Sequence, residues 1–182
     1  MSSLVIMNTN ILSQEADAIV NDAPSNLFLG RSTLANVAGS KLQEYCERVG
    51  YCPIGSAVIT PAFELPARYI IHAVSPIYRD GKQDEEKLLR NTYRKILELA
   101  EHNACHVISM PLLSADRYPT RKAWSCALHT CYRYIYQFHF DIDIRFTVED
   151  LEIYKVGCVI DGQIDPAKAP VKLYHPIRRE TK

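Results

Sequence analysis

The stretch from Asp17 to Gly39, DAIVNDAPSNLFLGRSTLANVAG, constrains this chain more than any other part of it. An apolar run, Ala18-Ile19-Val20, ends on Asn21 and opens into the turn formers Asp22, Pro24, Ser25 and Asn26. Gly30 follows, and then a segment with helical spacing. Strand, polar loop, glycine, helix is the layout with which α/β proteins hold a phosphate at a helix N-terminus. Here the loop carries a single glycine where phosphate cradles usually carry several. That deficit limits what the layout alone can say about function.

Strand-like and helix-like segments alternate along the rest of the chain. Leu4 to Met7 and Ala18 to Asn21 read as short strands, as do Ala57 to Thr60, Arg68 to Val74, Cys105 to Met110 and Ile142 to Val148. Ser32 to Val49 has apolar residues at helical spacing, with Gly39 placed to bend or interrupt it or to let it pack closely, and Gly50 to stop it. Asp84 to Asn103 and Thr120 to Phe138 are strongly amphipathic, the second opened by Pro119. Strands separated by helices of this length predict a largely parallel sheet covered on both faces. Ile153 to Ile160, Asp161-Gly162 and Gln163-Ile164 read as a hairpin with a tight turn, followed by a proline-punctuated tail. The domain reading is therefore an α/β body over residues 1–155 and an extension over 156–182, packed on the body or trailing from it.

Composition sets the outer limits. The chain has 182 residues, 47% of them hydrophobic, enough for one well-buried core. Its 21 basic and 21 acidic side chains cancel, so no overall positive field recommends nucleic acid as a partner. The N-terminus lacks a basic and apolar leader, and no apolar run approaches the roughly 20 residues that span a bilayer. A cytoplasmic protein without membrane association is the expectation. Six cysteines show no zinc-finger spacing and read as buried free thiols, and the histidines suggest no metal site. No metal and no cofactor are expected. His72, within YIIHAV, reads as a hydrogen-bonded core histidine.

In an open α/β sheet, ligands bind beyond the carboxyl ends of the strands. Two loops matter most: residues 21–31, and residues 112–118 in PLLSADRYP. At this point the sequence resembles a known family, the macrodomains, which bind ADP-ribose and in many members hydrolyse ADP-ribosyl derivatives. The resemblance is carried in order by TNILSQEADAIVN, VAGSKLQEYCERVGYCPIGSAVIT, LPARYIIHAVSP, ISMPLLSADRYPTRKAWSCALHT and IRFTVEDLEIY. It implies a three-layer α/β/α fold with a mostly parallel, mixed central sheet. It also implies a ligand cleft lined by Asn10, Ile11, Asn21, Ala23, Asn26, Gly30, Arg31, Ser114, Arg117 and Tyr118.

Several of those positions depart from the family pattern. Its adenine-contacting Asp falls on Asn10, whose neutral amide offers a donor as well as an acceptor. Its second loop asparagine, which meets the distal ribose, becomes Pro24, with neither a polar side chain nor an N–H. Asn26 would replace it only if the loop is re-routed. The family's glycine run shrinks to Gly30-Arg31, and the second loop becomes Ser114-Ala115-Asp116-Arg117-Tyr118 without glycine. Glycine allows the close backbone approach by which N–H groups wrap a pyrophosphate.

One reading has Arg31 and Arg117 replacing those backbone donors, since guanidinium forks suit phosphate oxygens. The other leaves them as solvated cations, or pairs Arg117 with Asp116 or a neighbouring acid, a commonplace of protein surfaces. Tyr118 borders a ribose or caps the core beside Pro119. Three functions stay open. The first is binding of an ADP-ribose-like nucleotide, free or on ADP-ribosylated protein, with weak or no hydrolysis. The second is a degenerate domain that contacts a protein partner or a second copy in a homodimer. The third is an active ADP-ribosyl or O-acetyl-ADP-ribose hydrolase.

Overall fold

A computed structural model describes residues 2–164. Six strands, β1 (Ser3–Met7), β2 (Ala18–Asp22), β3 (Ser56–Pro61), β4 (Tyr69–Val74), β5 (Val107–Met110) and β6 (Asp143–Thr147), form one sheet in the order β1-β6-β5-β2-β4-β3. Every neighbouring pair is parallel except β3–β4, which is antiparallel. The α-helices of the described residues are α1 (Thr33–Ala38), α2 (Ser40–Val49), α3 (Glu85–His102), α4 (Thr120–Phe138) and α5 (Leu151–Gln163).

Alternation along β2 sends its side chains into two cores. Ala18 and Val20 pack with the residues of α3 and α4, whereas Ile19 packs with Leu34, Ala38, Leu42 and Cys46 of α1 and α2. The sheet is thus sandwiched between helices, which accounts for continuous apolar runs such as YIIHAV in β4. The expected three-layer α/β/α architecture with a mixed, mostly parallel sheet is what the chain forms. Five of the six cysteines are buried, Cys158 is exposed, and all six are free thiols.

Two aspartates frame β2. At its start, the Asp17 carbonyl accepts from the Arg68 and Tyr69 N–H groups beside β4. The Asp17 carboxylate accepts from the N–H groups of His106 and Val107, at 2.8 and 2.9 Å, beside β5. One residue therefore sets the register of both flanking strands. Asp22, at the other end, is described with the site below.

The predicted helix over 32–49 is broken where Gly39 stands. Gly39 has φ +81°, returns its N–H to Ala35 as the cap of α1, and precedes the first residue of α2. Ser32 caps the start of α1 by accepting from the Ala35 N–H. The helices over 85–102 and 120–138 form as the spacing predicts.

The predicted hairpin over 153–164 does not form; α5 occupies those residues. Asp150 caps it, accepting from the N–H groups of Glu152 and Ile153, both at 2.9 Å. Ile153, Val156, Ile160 and Ile164 then fall on the side packed against the core. The β-branched content and the Asp161-Gly162 pair mimic a hairpin, but burial of that stripe decides the outcome. Residue 155, the expected end of the body, lies within this helix. The proline-punctuated tail beyond residue 164 lies outside the described residues.

Helix α5 sits flush on Trp124 of α4. The indole N–H donates to the Ile153 carbonyl at 2.9 Å, and a Cβ at Gly157 would stand 2.6 Å from the indole ring. The tyrosines of α4 divide as a helix of this exposure requires. Tyr132 donates to Asp161, Tyr134 donates to Glu101, and Tyr136 is exposed. Among the described residues, no helix is long and apolar enough to cross a membrane.

The Gly157–Trp124 contact leaves no room for a methyl group. Gly157→Ala gains helix propensity but overpacks the indole, and a net loss of about 1–3 kcal/mol is expected. Urea unfolding of the substituted chain measures it; unchanged or increased stability would show that α5 can move off the ring.

Candidate functional site

Because β5, β2 and β4 are neighbours and parallel, the loops that follow them emerge on one edge of the sheet. The ladder between β2 and β4 continues to Asp22↔Ala73, whereas that between β2 and β5 stops at Ile19↔Ser109. Past Ile19 the two strands are no longer paired. Their carboxyl ends are the sort of opening in which α/β proteins bind ligands.

Asp22 spans that opening. Its Oδ1 accepts from the Ser75 hydroxyl at 2.7 Å, on the loop after β4. Its Oδ2 accepts from the Ser114 N–H at 2.9 Å and from Arg117 Nη2 at 2.8 Å, both on the loop after β5. A carboxylate accepting from a guanidinium and a main-chain amide forms charge-assisted bonds, stronger than neutral ones. The Arg117 guanidinium also meets Asp116 through Nε at 3.2 Å, but that acid is largely exposed and adds little. Arg117 is thus paired with two acids, Asp22 being the principal partner.

The loop after β5 is built from below and behind. The Leu113 N–H donates to the buried Tyr93 hydroxyl at 3.0 Å. Ser114, fully buried with φ +56°, brings its Oγ to 2.6 Å from the Pro76 carbonyl and 2.8 Å from Ser75 Oγ. Tyr118 is buried edge-on against Tyr78 with ring centroids 4.9 Å apart, and burial pushes its phenol up to about 12. Its ring packs within the core. The Tyr78 N–H donates to the Arg117 carbonyl, which joins this loop to the one after β4.

That third loop is shaped by Glu85, the first residue of α3. Its Oε1 accepts from the N–H groups of Arg79, Asp80 and Gly81, and its Oε2 from that of Gln83. Burial raises the acid, yet the amide donors outweigh it and hold the carboxyl down to about 2.

Asn21 bridges site and core. Its Nδ2 lies 3.3 Å from Nδ1 of His72, whose Nε2 lies 3.0 Å from the Thr60 hydroxyl and 3.7 Å from Cys46 Sγ. One proton assignment satisfies the chain: the Asn21 amide donates to Nδ1, Nε2–H donates to Thr60, and Thr60 donates to the Pro61 carbonyl. Burial lowers the imidazole to about 4, so the ring is neutral at physiological pH. His72 is the core histidine its strand predicts. Asn21 thus gives its amide nitrogen to that ring.

In the loop after β2, Ala23 is buried and ties its N–H to the Ala73 carbonyl. The Asn26 side chain accepts from the Phe28 N–H at 3.1 Å, a local turn contact, so the described conformation commits that oxygen to its own loop. Gly30, at φ +60°, lies near the Phe28 ring. Arg31 is exposed and forms no ion pair among the described residues. Asn10 follows β1; its Oδ1 accepts from the Leu12 N–H at 2.8 Å, and its Nδ2 donates to Glu149. Ile11 packs, partly buried, on the core beneath α1 and α2. No cluster able to hold a metal occurs among the described residues.

Sequence reasoning missed Asp22, Ser75 and Glu149 as members of this constellation. A signal for Asp22 existed. It stands beside Asn21 in the first loop, while Arg117 appears in the second, and opposite charges on facing loops are candidates for a pair.

A sheet of this order, with helices on both faces and three loops joined at the carboxyl edge of β5, β2 and β4, defines a domain of macrodomain architecture. Comparison with known proteins agrees. The Macro domain family matches residues 20–127. A macro domain-containing protein of Ralstonia nicotianae is 37% identical over 160 residues, covering 85% of this chain and 94% of that protein. An O-acetyl-ADP-ribose deacetylase of Escherichia fergusonii is 36% identical over 160 residues, covering 83% of this chain and 90% of that one. The solved Oceanobacillus iheyensis macrodomain with ADP has a TM-score of 0.81 at 28% identity, covering 88% of this chain and 90% of that one. The chain belongs to the Macro domain family.

Glu85 makes the loop after β4 sensitive to acid. Its folded-state carboxyl is depressed, so its contribution is complete above its ordinary value of 4.5 and fades as pH falls toward about 2. Glu85→Gln is expected to lower stability at neutral pH and to flatten the loss across that acid window. Thermal melts from pH 2 to 7 test this, and parallel profiles for the two proteins would contradict it.

Proposed function

We propose that this macrodomain binds ADP-ribose or a related nucleotide, free or attached to protein, and hydrolyses it weakly or not at all. The observation that carries the reading is the end of the β2–β5 pairing at Ile19↔Ser109, with Asn21 and Arg117 beyond it and the loops after β2 and β5 leading into α1 and α4. Two of these loops enter helices, whose N-terminal amides and dipoles favour an anion. The relatives support the choice of ligand, since one is named for O-acetyl-ADP-ribose and a solved neighbour holds ADP. On this reading Asn10, which stands where the family pattern has its adenine-contacting Asp, would meet the base, and its amide already donates to Glu149.

Weak turnover is proposed because the chemistry is poorly provided. Hydrolysis needs a water held against the anomeric or acyl carbon by polar loop groups. Pro24 supplies neither a donor nor a polar side chain where the family pattern has asparagine, and Asn26 is bonded within its own turn.

A protein-interaction role is the second reading, favoured by a specific pair of observations. Arg117 already faces two carboxylates, and an open groove of about 1840 Å³ runs between α3 and α4, with Tyr136 and Phe138 among its lining residues. Light scattering of the full chain after size exclusion addresses the homodimer form of this reading.

Calorimetry with ADP-ribose is the direct test. Saturable one-to-one binding is expected, weakened at least tenfold by Arg117→Ala. Release of ADP-ribose from ADP-ribosylated protein is expected to be slight under the same conditions. Absence of any binding would remove the nucleotide reading; unchanged affinity in Arg117→Ala would remove that residue from the site; rapid release would restore the hydrolase.

A further inference from the structure

Asp22 is the group in this site whose chemistry the family resemblance does not supply. Three donors converge on its carboxylate: the Ser75 hydroxyl, the Ser114 main-chain N–H and the Arg117 guanidinium. They come from the loops after β4 and β5, and they are the kinds of donor that hold phosphate oxygens. The carboxylate receiving them belongs to the last residue of β2, still in register with β4 at Ala73.

We infer that Asp22 is a resident anion that sets the ligand affinity of this macrodomain, holding Arg117 and the Ser114 amide until a phosphate group competes for them. The inference rests on the proposed nucleotide-binding role, and it names what limits that role.

The electrostatic argument is short. Arg117 alone in the opening would attract a diphosphate, but Asp22 cancels its charge at 2.8 Å and Asp116 adds a second negative group at 3.2 Å. A ligand anion must then displace Asp22 from the guanidinium or bind near an uncompensated carboxylate. Either route weakens binding, and more so because the Asp22–Arg117 pair is half-buried. Arg117 keeps its Nη1 amino group outside these contacts, so a phosphate can engage it before the Asp22 bond breaks. Asp22 is a positioning residue in this scheme. It touches no ligand and acts through Arg117 and Ser114.

Asp22→Asn keeps size and one acceptor while removing the charge. It is expected to tighten ADP-ribose binding at least tenfold by calorimetry, with a steeper dependence of affinity on salt. Inorganic pyrophosphate, titrated into the same variant, is expected to shift the Ser114 amide and Arg117 Nε resonances in nitrogen–proton spectra. A purely structural role for Asp22 would change melting temperature without tightening binding or moving those resonances with pyrophosphate.

The outcomes separate. If the natural chain binds ADP-ribose and Asp22→Asn binds no tighter, the inference fails while the nucleotide role stands. If only Asp22→Asn binds, the inference stands and the natural chain is not a nucleotide binder. If neither the natural chain nor the variant binds ADP-ribose and pyrophosphate shifts no resonance, both fail. Should Asp22→Asn not fold, Asp22→Ser takes the same measurements.

Discussion

Strand β2 is held at both ends by an aspartate that bonds to the neighbours on either side, and the rest of the site depends on this bracing. Asp17 fixes where β4 and β5 begin relative to β2 through four main-chain N–H groups. Five residues later, Asp22 reaches the loops those same strands feed. Between the two, Ala18, Ile19 and Val20 are buried on alternating faces. The strand is short, but nothing in it is free to slip: a shift by one residue would turn Ile19 toward the wrong core. The arrangement delivers three loops to one place with little tolerance in their spacing.

The Asp17 bonds recur in any sheet that needs its register fixed, whereas the Asp22 bonds answer a local problem. Glycine-poor loops cannot fold as closely around a ligand with their own amides, so they are stabilised by side chains instead. Ser75, Ser114 and Arg117 have been drawn together around a negative group supplied by the protein. The same substitution of side chain for main chain appears after β4, where the Glu85 carboxylate collects four amides and shapes a loop that has a single glycine, Gly81. In both loops a buried or half-buried carboxylate organises donors that would otherwise need solvent.

Much of this architecture was legible in the residues. The runs AIV and YIIHAV mark buried strands, the stripes of α3 and α4 are regular, and of the roles open to Gly39 the structure takes the break. Residues 153–164 look like strand because Ile153, Val156, Val159 and Ile160 favour one locally, while the Trp124 contact that supports the helix lies 29 positions from Ile153. The composition of the loops was equally plain, including their lost glycines. Their bonding was not, because the partner of Arg117 is distant in sequence and surface acids are plentiful. Asp116, adjacent in the chain, is the weaker partner; Asp22, ninety-five positions back, is the principal one.

The fit of α5 against α4 also gives the molecule an internal reporter. Trp124 is the only tryptophan in the chain, and its ring is covered by Gly157 and bonded to Ile153. Its fluorescence therefore senses whether the last helix is seated, from a position on the far side of the core from α1 and α2. An emission change on adding a ligand would mean that events at the carboxyl edge of the sheet travel through α4 to that helix. A silent indole would mean that the loops rearrange on a rigid base.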